Sequence, residues 1–92
     1  MPLARVTRLT ALELGQLCLD HLVDDPNELM RFMSVSGYSP DGLREAIKSP
    51  ALSRGLIEYV AAYEPLMIAI CTKVSVRPED FMRVYYKLNP EG

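Results

Sequence analysis

The sequence predicts an all-α fold, a compact single-domain bundle of five or six short helices with proline-initiated corners, one of them resembling a helix-turn-helix. Three observations carry that expectation. Prolines stand at Asp25-Pro26, Ser39-Pro40, Ser49-Pro50, Glu64-Pro65 and Arg77-Pro78. These are helix starts, because the first helical N–H has no intrahelical partner and proline's fixed φ already suits a helix. Between them, apolar residues recur at helical spacing, as at Leu52, Leu56, Tyr59, Val60 and Tyr63. Finally, LMIAICTKVSV is the one run rich enough in β-branched residues to suggest a strand, and it has no second such run to satisfy its backbone groups.

The first helix is expected over 10–24. Thr10 and Glu13 have the spacing of a capping box, in which hydroxyl and carboxylate satisfy each other's free backbone donors. Leu14, Leu17, Cys18 and Leu22 form its apolar face, and Glu13, Gln16, Asp20 and Asp24 its solvated one. Asp25 caps the second helix, 26–36, which Gly37 ends in a left-handed conformation. Ser39 caps the third, 40–48, with Tyr38 placed to staple onto Leu43.

Ser49 caps the fourth helix, 50–63, where Ala51, Gly55 and Ala62 form a small-residue strip that would let a neighbour approach closely. The fifth, 65–74, is apolar all round from Leu66 to Cys71 and is expected to be the central helix. The sixth spans 78–88, with Glu79 and Asp80 at its positive end and Phe81, Val84, Tyr85 and Leu88 turned to the core. Met82 and Tyr86 lie on an adjoining stripe. Because methionine and tyrosine are enriched in interfaces, they are the candidate partner surface. Residues 1–9 are expected to form a loose basic arm and 10–89 the single helical domain.

Composition narrows the function classes. A chain of 92 residues with 49% apolar and 24% charged side chains has room for one core. Its net charge of −2 provides no overall field for polyanions. Cys18 and Cys71 sit in apolar runs, where a thiol acts as a small hydrophobe. MPLARVTRLTAL lacks the apolar core of a signal peptide, and no apolar run reaches the length of a membrane span, so a cytoplasmic location with no membrane partner is expected.

The corner SGYSPDGLREAI has the spacing of a helix-turn-helix, with Phe32, Met33, Tyr38, Leu43 and Ile47 at its apolar positions. Charge argues against nucleic-acid reading, since Asp41, Arg44, Glu45 and Lys48 cancel on the helix that would enter the groove. If the corner does bind nucleic acid, Arg5, Arg8, Arg44 and Lys48 are its contacts. The same order of apolar, any, proline, acid, any, apolar recurs from Val76 to Phe81, which fits two rigid corners.

Catalytic signals are thin. His21, the one histidine, lies three residues after Cys18, but a dyad lacks an orienting third group. With Asp20, Asp24 and Asp25 it has the residue types of a metal cluster, yet Asp25 is better used as a cap and Asp20 belongs to the solvated stripe. Glycine-rich phosphate loops, GxSxG and HExxH do not occur. No enzyme activity, metal or cofactor is expected.

The run LVDDPNELMRFMSVSGYSPDGLREAI, followed by PALSRGLIEYVAAYEPLMIAI, resembles a family of short alphaproteobacterial all-helical proteins classed as a domain of unknown function. The shared features are Asp25-Pro26, Arg31-Phe32-Met33, Ser36-Gly37-Tyr38-Ser39-Pro40, Leu43-Arg44, Pro50-Ala51-Leu52 and Glu64-Pro65-Leu66-Met67. Tyr63 departs from the family's aspartate before Glu-Pro. The resemblance implies a bacterial host and supplies no catalytic or ligand residue. The expected role is a small protein-interaction module, self-associating or docking on a protein partner; the alternative is a helix-turn-helix-type nucleic-acid-binding or regulatory protein.

Overall fold

Local capping chemistry sets where each helix begins. The computed structural model describes residues 9–90 and contains, among them, α1 (Ala11–Val23), α2 (Pro26–Ser36), α3 (Pro40–Glu45), α4 (Pro50–Ala61), α5 (Glu64–Val74) and α6 (Pro78–Leu88). Thr10 and Glu13 close the capping box in both directions, at 3.1 and 3.0 Å. The side chains of Asp25, Ser39 and Ser49 accept from the backbone N–H of Glu28, Gly42 and Leu52. Gly37 ends α2 at φ 86°, a conformation open to glycine at little cost.

The core is built on α1 crossing α4, the most extensive helix pair. Leu14, Cys18 and Leu22 of α1 meet Leu52, Leu56, Ile57 and Val60 of α4, all fully buried. Each large aliphatic side chain buried this way stabilises the fold by about 1.5–3 kcal/mol. The crossing is close because Gly15 has no side chain: a Cβ there would lie 2.6 Å from Ser53 Cβ and 2.8 Å from Ser53 Cα. Phe32 of α2, Ile70 of α5 and Phe81 of α6 close the core from the remaining sides.

Several expectations are corrected. The small strip is not a packing seam: Ala51 and Ala62 are exposed and a Cβ on Gly55 would meet nothing within 4 Å, whereas Gly15 and Ser53 make the close approach. Nor is α5 central. It buries Leu66, Met67, Ile70 and Cys71 and leaves Ile68 45% exposed, so one face suffices. Tyr63 belongs to no core face; it is the N-cap of α5 and is exposed.

The third helix is shorter than expected, ending at Glu45. The Ala46 N–H is shared between the carbonyls of Gly42 and Leu43, and the Ser49 N–H returns to the Ala46 carbonyl, so residues 46–48 turn. Ser49 must then be extended, both to cap α4 and because Pro50 follows it. Asp80, in the first turn of α6, is buried, with Oδ2 accepting from Arg77 Nε at 3.2 Å and Oδ1 2.8 Å from Arg83 Nη2. The Arg77 hydrogen bond holds its carboxyl below the usual carboxylate range.

One polar link ties α2 to α4. The Tyr59 hydroxyl donates to Glu28 Oε2 at 2.7 Å, while its ring meets Phe32 edge-on at 5.3 Å. Desolvation first, then the bond to the Glu28 carboxylate, pushes the phenol up to about 12. The unfolded chain releases this proton near the ordinary tyrosine value of about 10, so stability is fully present below that pH and falls as pH rises towards about 12. Tyr59→Phe is expected to remove this share of the alkaline loss and to lower stability at neutral pH by about 1.5–3 kcal/mol, for a hydrogen bond to a charged group. Urea titrations at neutral and alkaline pH compare the two chains.

Candidate docking furrow

Along α1 the apolar residues occupy more than one face. Leu14, Cys18 and Leu22 go to the core, while Leu12, Leu19 and Val23 follow each other at i, i+7 and i+11 on a flanking stripe. On that flank the neighbouring element is α3, which is only six residues long and touches the other helices sparsely. It covers the stripe incompletely. Between them runs a hollow of about 240 Å³ walled by Leu19 and Val23 of α1, Leu29 and Met33 of α2, Pro40, Leu43 and Arg44 of α3, and Ile47 in the turn that follows.

Ile47 also walls a second hollow with Thr10, Leu12, Glu13, Gln16 and Lys48, so two hollows that share this one residue lie along the outer side of α1 and together make up the furrow. Leu12 is 53%, Val23 57% and Ile47 38% exposed. The charged groups at its edges are partly committed: Glu13 accepts from the Thr10 N–H, and Arg44 pairs with Asp41 at 3.0 Å. An apolar floor with charged groups at its edges suits the apolar face of an amphipathic helix, which reads such a groove by side chains three to four residues apart.

Of the site residues expected from the sequence, Arg44 and Lys48 stand at the furrow, and Met82 and Tyr86 lie on α6. Met82 is half-buried and packs against the core, while Tyr86 is 55% exposed with its ring edge-on to Tyr85 at 5.4 Å. The two stand one turn apart on α6, with Met82 the less exposed. Arg44 lies on α3, paired to Asp41, and Lys48 lies beyond that helix in the turn. Arg5 and Arg8, with the rest of the expected arm up to residue 8, lie outside the described residues. Of the helix-turn-helix apolar positions, Phe32 and Leu43 are buried, Met33 and Tyr38 half-buried, and Ile47 opens onto the furrow. The stripe Leu12, Leu19 and Val23 was the available signal for the furrow, masked by the stronger core pattern on the same helix.

Among the described residues no hydrogen bond joins Cys18 to His21 Nδ1. Burial, with the nearby Cys71 as a lesser cause, pushes the Cys18 thiol up to about 12, so the nucleophilic thiolate is scarcely populated near neutrality. His21 is half-buried, with Nδ1 making no hydrogen bond. Asp20 is taken up by Gln16, Asp24 by Lys73 and Asp25 by its capping role. Among the described residues no group of three or more His, Cys, Asp or Glu side chains is arranged to hold a metal ion. Cys18 and Cys71 are both buried. At pH 8 a thiol-specific chromogenic reagent is expected to leave both unmodified in the folded chain and to label both in denaturant; rapid labelling without denaturant would contradict this burial.

No single helix among the described residues is long and apolar enough to cross a membrane. Compared with known proteins, residues 8–91 match the model of DUF3572, a protein family of unknown function. No curated protein and no solved structure matches the chain.

Proposed function

Given that the chain belongs to the DUF3572 family, we propose that it is a small, non-catalytic protein-interaction module that docks an amphipathic helix in the furrow beside α1. The observation that carries this reading is that exposed Leu12, Val23 and Ile47 line two neighbouring hollows, with Ile47 in the wall of both. Isolated surface hydrophobes are common, but several sharing one concavity are a recognition feature. The inert Cys18 thiol supports a role without nucleophilic chemistry. The occupant is a segment of another protein or of a second copy of this chain.

Nucleic-acid binding through the α2–α3 corner has less support. A reading helix of six residues carries Asp41 and Glu45 against Arg44, and Arg44 is already paired. Phosphate neutralisation needs several free cations on one surface.

Val23→Glu combined with Ile47→Glu tests the docking reading. Val23 is the more exposed of the two, so Val23→Glu is expected to change stability by no more than about 0.5 kcal/mol and Ile47→Glu to cost about 1–2 kcal/mol, leaving the helical circular dichroism intact. Light scattering on the purified chain and affinity purification from host cells are expected to show an associated protein, a second copy or a partner, that the double variant loses. An association that survives the double variant and disappears with Tyr86→Glu would overturn the furrow as the docking surface.

A further inference from the structure

We draw no further inference here: the strongest candidate, the cavity of about 510 Å³ between the start of α1 and α6, walled by Thr10, Asp80, Arg83 and Lys87 among others, carries nothing because its buried carboxylate, Asp80, is already held by Arg77 and Arg83 and no other group in it points to a ligand.

Discussion

Gly15→Leu is expected to abolish the native fold, and Gly15→Ala to lower its stability although alanine is the better helix former. The helix gain is about 1 kcal/mol. Against it stands a Cβ placed 2.6 Å from Ser53 Cβ, 2.7 Å from Ser53 Oγ and 2.8 Å from Ser53 Cα. The last of these is backbone, so no rotamer change relieves the clash; α1 and α4 must move apart. Overpacking of this kind costs about 1–3 kcal/mol for small additions and more for large ones. A domain of this size has a total of about 5–15 kcal/mol to lose.

The same substitution at Gly55 is the control. Nothing lies within 4 Å of a Cβ there, so Gly55→Ala is expected to stabilise by up to about 1 kcal/mol. Opposite shifts of the urea midpoint for one chemical change would isolate the α1–α4 crossing as the cause. A midpoint for Gly15→Ala equal to or above the parent's would mean that the helices cross more loosely than described.

Phe32→Ala is the second large effect, with an expected loss of about 3–5 kcal/mol for an aromatic removed from a filled core. Phe32 is 1% exposed and lies between two rings, Tyr38 at 6.3 Å and Tyr59 at 5.3 Å. Tyr59 belongs to α4 and Tyr38 to the corner leading into α3. One side chain thus positions α2 on the core and sets where α3 stands relative to α1, which in turn shapes the furrow. Phe32→Leu retains most of the volume and should lose less. A loss under about 1 kcal/mol for Phe32→Ala would show that the neighbouring rings close the gap, and that this cluster does not hold the corner.

The features legible in the sequence are the local ones. Thr10, Asp25, Ser39 and Ser49 each act on a backbone donor three residues away, and proline and Gly37 act through their own φ. Such effects need no knowledge of the rest of the chain, and the helix starts follow from them. The misses are matters of pairing over distance. Gly15 meets a residue 38 positions later, and nothing near it in sequence distinguishes it from Gly55, which meets open space. Asp80 reads as a first-turn acid, which it is, but its burial depends on Arg77 and Arg83 folding over it.

The furrow was hidden for the same reason. Its floor is apolar sequence that reads as core, and it is a furrow because α3 ends at Glu45, leaving Lys48 and Ile47 in a turn. That early end depends on how Ser49 must be oriented to cap α4. The partner-surface expectation at Met82 and Tyr86 rested on their spacing and residue type. Met82 instead finds space against the core.

The central claim, that this protein works by docking in the furrow, is tested most directly by placing a photo-crosslinking amino acid at position 23, 47 or 86 in turn, one per chain, and irradiating the protein in its host cells. Positions 23 and 47 line the furrow, and position 86 is comparably exposed on a different helix. A discrete protein adduct is expected from 23 and 47, and none from 86. Adducts from 86 alone, or none from any position while the chain is folded and abundant, would contradict it.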